Sequence, residues 1–235
     1  MTTVETRDRG VLENPAWAAL RGAQARFAEV HGRAARYQQD VAPFHAVADP
    51  ADPRAWADLA ELAGPDAEVV LAGAGITPLA GWELVDKVDG VQLVDVALRS
   101  APDPEAVRLT AADVPEMLDL VGRTEPGPFR PRTVELGSYL GLRRDGALIA
   151  MAGERLHPPG WTEISAVCTD PAFRRQGLAT RLVRAVAAGI RARGETPFLH
   201  TGAGNTTAIR LYESIGFVLH RQPTFGRYRW SPRRG

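Results

Sequence analysis

The sequence lacks several features that mark specialised classes of protein. Cys168 is the only cysteine, so no internal disulfide can form, and the five histidines are scattered rather than spaced like zinc ligands. No apolar run approaches the roughly 20 residues that a membrane-spanning helix needs. The N-terminal segment MTTVETRDRG lacks the apolar core of a signal peptide, so we expect a cytoplasmic protein with neither a membrane nor a metal partner.

Lysine is almost absent, and Lys87 is the only one. No basic run is interleaved with aromatic residues and no nucleic-acid-binding motif is present, so nucleic acid is not expected as a partner. Residues 1–100 carry 15 acids and 9 bases, whereas residues 101–235 carry 13 acids and 19 bases. The C-terminal half, with its WSPRRG tail, therefore suits a polyanion such as a coenzyme phosphate, although two solvated faces would explain the same counts.

The composition is otherwise that of an ordinary globular protein. The 235 residues are 45% hydrophobic and 24% charged, enough to bury a sizeable core. The segment SAPDPEA, residues 100–106, interrupts the predicted helices and strands and is a candidate linker. We therefore predict an N-terminal α/β region at residues 1–100 and a second domain at residues 105–235.

The N-terminal region reads as two helices followed by strands. Asn14 and Pro15 predict the start of a helix that runs to about Val30, and Asp52 predicts a second helix that ends at Gly64. The predicted strands lie at residues 68–71, 82–88 and 91–98. Between the last two, Asp89-Gly90 is a strong hairpin signal. We find no chemical motif in this region.

The pattern after residue 105 is more orderly. Thr110 or Asp113 is predicted to cap one helix, and a second, amphipathic helix spans about 177–193. A short third helix is predicted at residues 205–215. The predicted strands lie at residues 107–109, 139–143, 147–156, 161–169, 196–201, 217–220 and 225–230.

The stretch WTEISAVCTDPAFRRQGLAT, residues 161–180, is the most informative. A buried strand runs into an Asp-Pro turn, and a helix begins near Gly177. A helix N-terminus presents free backbone N–H groups and a partial positive charge, and together these bind phosphate without a metal. Gly177 lets the backbone approach a ligand closely, and Arg174 and Arg175 add positive charge.

This loop resembles motif A of the GNAT acetyltransferases, whose signature is Gln/Arg-x-x-Gly-x-Gly/Ala. Arg174, Gly177 and Ala179 fill its positions. A kinase or ATPase phosphate loop is disfavoured because no Lys-Ser/Thr pair follows the glycine, and a dinucleotide site because the glycines are too few. An ordinary strand-to-helix loop is the remaining alternative.

A second motif follows across one helix and one strand. Residues 205–217, NTTAIRLYESIGF, resemble the GNAT motif B pattern Asn-x-x-Ala-x-x-x-Tyr-x-x-x-Gly-Phe at every quoted position. Asn205 can cap the short helix, Ala208 permits close approach, and Tyr212 should share a helix face with Asn205. The resemblance covers residues 105–230. It implies a GNAT fold of the α/β (α+β) class, with a mixed central sheet flanked by helices.

The resemblance also implies an N-acetyltransferase that transfers an acetyl or other short acyl group from acetyl-CoA directly to a primary amine. The donor would lie in a V-shaped gap between the strands ending near Thr169 and Thr201. One backbone N–H there would polarise the thioester carbonyl, and Tyr212 would protonate the departing thiolate. The residues implied in binding acetyl-CoA are Val167, Cys168, Thr169, Arg174, Arg175, Gln176, Gly177, Leu178, Ala179, Thr180, Asn205 and Ala208.

Glu163 is the best candidate for the base that deprotonates the amine. Histone-type members of the family place a catalytic glutamate on this strand, and burial there would raise the carboxyl pKa. Strand alternation predicts that Ser165 and Val167 face the same side as Glu163. A salt-bridged glutamate is the alternative, and Glu154, His200 or a chain of waters could replace Glu163 as base. Cys168 is read as a small apolar residue, since no histidine and acid are arranged with it.

Residues 1–100 exceed what a minimal member of this family needs. Our hypothesis is a degenerate GNAT-like companion domain that shapes the acceptor pocket or forms a homodimer contact. The acceptor is predicted to be an amine on a small molecule or a peptide. Two rival functions use the same loop: a non-catalytic acyl-CoA sensor or interaction module on the same fold, and a nucleotide-binding protein.

Overall fold

The computed structural model describes residues 8–73 and 75–231. The α-helices are Pro15–Leu20 (α1), Pro53–Ala63 (α2), Val114–Thr124 (α3), Leu178–Ala192 (α4) and Thr206–Ser214 (α5). The strands are Ala28–His31 (β1), Ala34–Tyr37 (β2), His45–Val47 (β3), Glu68–Gly73 (β4), Trp82–Asp95 (β5), Val107–Leu109 (β6), Tyr139–Arg144 (β7), Ala147–Glu154 (β8), Trp161–Thr169 (β9), Thr196–Gly202 (β10), Phe217–Arg221 (β11) and Thr224–Trp230 (β12). Short 3-10 turns connect several of them.

The strands form two sheets. The small one has the order β1-β2-β3, and the large one is a nine-stranded mixed sheet with the order β4-β12-β5-β10-β9-β8-β7-β6, in which β11 also pairs with β5. Strands β9 and β10 pair in parallel. On their other edges, β9 pairs with β8 and β10 pairs with β5, both antiparallel. The predicted α/β class with a mixed central sheet is therefore confirmed.

Two apolar layers cover the large sheet. On one face, the stripe of α4 (Leu182, Val186 and Ile190) packs with Ile164 and Leu199 of the central strands. The other face is covered in part by α3 and in part by the N-terminal elements around α1 and the small sheet. Because the central strands β9 and β10 are covered on both faces, the site described below lies at their open ends.

Local start and stop signals are confirmed where neighbouring residues satisfy the backbone. The side chain of Asn14 accepts a hydrogen bond from the Trp17 amide at the start of α1, and Asp52 caps α2 in the same way. The turn between β7 and β8 places Asp145 and Gly146 in the left-handed region, as the predicted hairpin requires.

The prediction of one long helix from Pro15 to Val30 is wrong. The helix ends at Leu20, and the chain then forms the hairpin β1–β2, which turns at Gly32 with a φ of 50°. Val30 pairs with Ala35 in that hairpin. Apolar residues in this segment satisfy a helical spacing, but Gly22 weakens the helix and pairing with β2 decides the conformation.

The predicted hairpin at Asp89-Gly90 is also wrong, because β5 runs through both residues as one strand. Its first half pairs with β12 and its second half with β10 and β11. Gly90 is required by packing rather than by a turn, since a Cβ there would lie 2.6 Å from the Phe225 ring. The signal fails because the two halves have different partners from distant parts of the chain.

The two sequence regions both contribute strands to the large sheet, since β4 and β5 precede residue 100. The division into residues 1–100 and 105–235 stays a prediction. Residues 1–7 of the first region and the last four residues of the WSPRRG tail in the second lie outside the described residues. Within the described part of the chain, no helix is long and apolar enough to cross a membrane.

Candidate active site

The central strands β9 and β10 diverge where the site lies. Their parallel pairing extends only from Trp161 opposite Thr196 to Ile164 opposite Leu199. Beyond Ile164, β9 still pairs with β8, whereas its other edge has no partner among the described strands. The splayed ends leave a gap whose wall offers unpaired backbone groups, in which an extended ligand could bind as a strand would.

A bulge in β9 sets which side chains face this gap. Ala166 has a φ of 52°, and the register with β8 shifts between Met151 and Gly153. The extra residue reverses the alternation, so Val167 packs against the cluster that contains α4, whereas Cys168 packs beside α3. The expectation that Val167 faces the same side as Glu163 is therefore wrong.

The loop after β9 holds its backbone in an unusual conformation. Asp170 caps a short 3-10 turn at Pro171–Phe173, and the residues from Arg174 to Gly177 are exposed. Arg175 and Gly177 both lie in the left-handed region, with φ values of 64° and 73°. These turns lead the chain into α4, which begins at Leu178.

The N-terminus of α4 carries no side-chain cap among the described residues. Its first amides therefore remain available as hydrogen-bond donors beside the positive end of the helix dipole. A Cβ at Gly177 would meet no atom within 4 Å, so the space in front of these amides is open. Leu178 anchors the helix in the core, whereas Ala179 and Thr180 are half-buried. The loop thus fits a pyrophosphate group.

Replacing Gly177 with alanine is expected to weaken coenzyme A binding by about tenfold, a loss of about 1.4 kcal/mol. The left-handed backbone disfavours any L side chain, and the added Cβ enters the anion-binding space. Calorimetric titration with coenzyme A measures the effect. Gly194→Ala is the matched control, since Gly194 also has a left-handed φ, 78°, but follows the far end of α4. Equal losses in both variants would contradict the assignment.

The second motif forms α5 beside the gap. Asn205 caps the helix by accepting a hydrogen bond from the Ala208 amide at 3.2 Å. Tyr212 is buried, with its ring edge-on to Phe217 at 6.1 Å. Its hydroxyl makes no hydrogen bond to another described side chain or backbone group, and burial raises its pKa to about 12. The phenol therefore stays protonated at neutral pH, as a proton donor must.

Glu163 lies at the centre of a buried polar network. Its two carboxylate oxygens accept hydrogen bonds from Arg155, Nε at 2.8 Å and Nη2 at 2.6 Å, and Nδ1 of His200 lies 2.7 Å from Oε1. Burial alone would raise the carboxyl pKa, but the Arg155 guanidinium and His200 together lower it to about 2. The expected raised pKa is wrong, because sequence reasoning did not foresee the buried arginine.

The neighbours of His200 settle which ring nitrogen carries the proton. The Gln92 amide nitrogen donates to the Leu12 carbonyl at 3.0 Å and lies 3.0 Å from Nε2 of His200. Nε2 must then accept, so the proton sits on Nδ1 and is donated to Glu163. The orientation of the His200 ring is thus set by the Glu163 carboxylate on one side and Gln92 on the other.

Arg155 and Gln92 were missed by sequence reasoning. Arg155 follows the stretch LIAMAGE, and two adjacent charges, Glu154 and Arg155, at the end of a buried strand could have drawn attention to it. Its guanidinium lies over the Phe44 ring at 4.9 Å, and its carbonyl accepts from Gln24 at 2.6 Å. No sequence signal marks Gln92, because its role depends on strands far apart in the chain.

The lowered pKa of Glu163 predicts a loss of stability in acid. A carboxyl whose pKa falls from 4.5 to about 2 on folding stabilises the protein above pH 4.5. That contribution disappears as the pH falls from 4.5 towards 2. Thermal unfolding from pH 7 to 2 should show a steep fall in the parent and a shallower one in Glu163→Gln. Parallel curves for the two proteins would contradict the assignment.

Two other candidate catalytic side chains, Cys168 and Glu154, are buried or paired. Cys168 is buried, and burial raises its thiol pKa to about 11, which disfavours the reactive thiolate. Glu154 is paired with Arg193 at 3.0 Å and accepts from the Ser138 amide at 3.2 Å. Of the described His, Cys, Asp and Glu side chains, no three are grouped in a way that could hold a metal ion.

Comparison with known proteins identifies the family of this chain. The FR47-like protein family matches residues 139–225, which include both motifs. A GNAT-family protein of Novosphingobium aromaticivorans, described as a candidate acetyltransferase, is 41% identical, and its structure superposes with a TM-score of 0.85 over 94% of this chain and 99% of that one.

Two named enzymes are similar over about half of the chain. N-alpha-acetyltransferase RimI of Mycobacterium tuberculosis is 33% identical over 120 residues, which cover 46% of this chain and 75% of RimI. Mycothiol acetyltransferase of Cellulomonas flavigena is 33% identical over 129 residues, which cover 50% of this chain and 34% of that enzyme. The chain therefore belongs to the GNAT family of N-acetyltransferases, enzymes that transfer an acetyl group to an amine.

Proposed function

We propose that this protein transfers an acetyl group from acetyl-CoA directly to a primary amine, with both substrates bound at once. The observation that carries the proposal is the pair of splayed strands beside the open, uncapped N-terminus of α4. Bound acetyl-CoA supplies an acetyl thioester, whose C–S bond breaks as the new C–N bond forms. Cys168 is too buried and too weakly acidic to act as an intermediate acyl carrier.

The residues present fit such a donor. The unpaired edge of β9 at Val167, Cys168 and Thr169 would hold the pantetheine arm, with one N–H directed at the thioester carbonyl. The amides from Arg175 to Thr180 would hold the pyrophosphate, helped by the charge of Arg174. The remaining proposed contacts are Gln176, Gly177, Leu178, Ala179, Asn205 and Ala208.

Tyr212 is the proposed acid. Its hydroxyl is protonated at neutral pH, as any tyrosine is, burial raises its pKa further to about 12, and it has no competing hydrogen bond among the described residues. It would donate that proton to the departing sulfur, which removes the cost of expelling a thiolate. Solvent then restores the phenol.

Glu163 is proposed to act through His200 rather than as a direct base. A carboxylate with a pKa of about 2 and both oxygens bound to Arg155 is a poor proton acceptor. It holds His200 with Nε2 unprotonated, beside a void of about 20 Å³ that has room for one water molecule. The protons of the amine would leave through that water to solvent, and Nε2 could take one only after its hydrogen bond from Gln92 opens.

The proposal is tested by following thiol release from acetyl-CoA with a panel of small amines and short peptides. We expect amine-dependent release together with saturable coenzyme A binding measured by calorimetry. Coenzyme A binding without turnover of any amine would favour a sensor, and no binding at all would contradict the proposal.

A further inference from the structure

A cleft of about 310 Å³ opens beside the described network, and its walls come almost entirely from the N-terminal region. One wall is β3 and the segment that follows it, to Pro50. The opposite wall is the end of β4, with Leu71 and Ala72. Arg221, at the end of β11, closes one side. This volume is at the lower end of the range typical of small-molecule sites.

The cleft leads to His200. Four of its lining residues, Glu13, Ala72, Gly73 and Arg221, also line the 20 Å³ void that reaches Gln92 and His200. His200 directly follows Leu199, the last residue of β10 that pairs with β9. The inner end of the cleft therefore lies at the strand position where the gap between β9 and β10 begins.

The polar groups of the cleft accept hydrogen bonds and carry negative charge. Asp49 is exposed at the rim and makes no ion pair with another described residue. His45 donates from Nδ1 to the Pro43 carbonyl at 3.2 Å, so its Nε2 is an acceptor. Burial lowers the pKa of His45 to about 4, which keeps the ring neutral.

The one cation in the described lining is already neutralised. Arg221 Nη2 lies 3.1 Å from a carboxylate oxygen of Glu13. The amide of Asn14 is also engaged, since its nitrogen donates to the Val47 carbonyl at 2.7 Å. The remaining wall is apolar, from Val47, Leu71 and Ile76. The cleft thus offers negative charge and hydrogen-bond acceptors at its rim, next to an apolar patch.

We infer that this cleft, together with the void at His200, is the acceptor site, and that it takes primary ammonium compounds with a compact apolar body. The inference rests on the proposed acetyl transfer, and it assigns a function to residues 1–100. A carboxylate on the acceptor is disfavoured, because the unpaired Asp49 would repel it and Arg221 is already paired with Glu13. Small free amines and the N-termini of otherwise uncharged peptides both present a primary ammonium group on an apolar body.

The test uses the full chain and two matched pairs of probes. Phenethylamine and phenylalanine share one apolar body and differ by a carboxylate. An Ala-Ala-Phe amide and the same peptide with a free carboxylate separate the peptide source. We expect kcat/KM for phenethylamine to exceed that for phenylalanine by about tenfold or more, or 1.4 kcal/mol. If coenzyme A binds but neither the free amine nor the amide peptide is acetylated, the inference fails.

Variants locate the site independently of turnover. Ala48→Trp fills the cleft from its exposed rim, and Asp49→Asn removes the unpaired charge. Calorimetry without acetyl-CoA should show phenethylamine binding weakened about tenfold by Ala48→Trp, with coenzyme A binding unchanged. The matched controls are Ala112→Trp and Glu61→Gln, at exposed positions outside the cleft. Parent-like phenethylamine binding by Ala48→Trp would overturn the site. If the parent did not bind coenzyme A, the proposed function would fall instead.

Discussion

Replacing Tyr212 with phenylalanine is expected to lower kcat by about 10²–10⁴-fold, the usual contribution of a positioned general acid. The ring stays edge-on to Phe217, so the packing of α5 is retained. The proton that the departing sulfur needs is lost. The Kd of coenzyme A should stay unchanged, because the loop at the start of α4 is untouched. Steady-state thiol release and calorimetry on the same preparation measure both quantities.

Tyr228→Phe is the matched control for Tyr212→Phe. Tyr228 is also buried, but it packs against Trp56 near the edge of the sheet, and its hydroxyl donates to the Ile76 carbonyl at 3.3 Å. Its loss should cost some stability and leave kcat near the parent value. If Tyr212→Phe kept parent turnover, the proton would have to come from another group or from water, and the assignment of Tyr212 would fall.

Replacing Arg155 with methionine is expected to destabilise the protein by about 3–5 kcal/mol, the cost of leaving one partner of a buried ion pair uncompensated. Methionine fills much of the arginine volume, so the main change is electrostatic. Glu163 is fully buried and would keep only His200 as a partner. The midpoint of urea unfolding measures the loss, provided the slope of the transition is unchanged.

The double variant Arg155→Met/Glu163→Gln separates the ion pair from packing. Removing both charges should recover much of the stability lost in Arg155→Met, because no unpaired charge then remains in the interior. Arg54→Met is the control, since Arg54 pairs with Asp52 at the exposed start of α2 and its unfolding midpoint should stay close to that of the parent. Equal losses in the single and the double variants would show that packing, not charge, dominates at this site.

Sequence reasoning succeeded where a structure depends on neighbours in the chain. The cap at Asn14 and the turn at Asp145-Gly146 require only residues within a few positions, and both are confirmed. The loop before α4 is similar, because Gly177 adopts a left-handed φ that other residues resist. The family membership followed from two such local motifs in order. The roles of Tyr212 and Glu163 stay predictions until variants are measured.

Sequence reasoning failed where strand pairing overrides a local signal. The two halves of β5 pair with strands more than a hundred residues later, and that pairing overrides the turn signal at Asp89-Gly90. The long helix expected up to Val30 gave way to a local hairpin, in which β1 pairs with β2 while Val30 stays exposed.

The sequence by itself determined the family and the fold class and predicted a loop for a pyrophosphate, because these depend on short-range backbone conformation and periodicity. Only the tertiary structure decided the charge state of Glu163, because its pKa depends on Arg155 and His200, which reach it from other segments. The cleft beside His200 likewise exists only because the N-terminal elements fold against the sheet edge. Electrostatic and shape effects of this kind act over distances in space that the order of residues does not record.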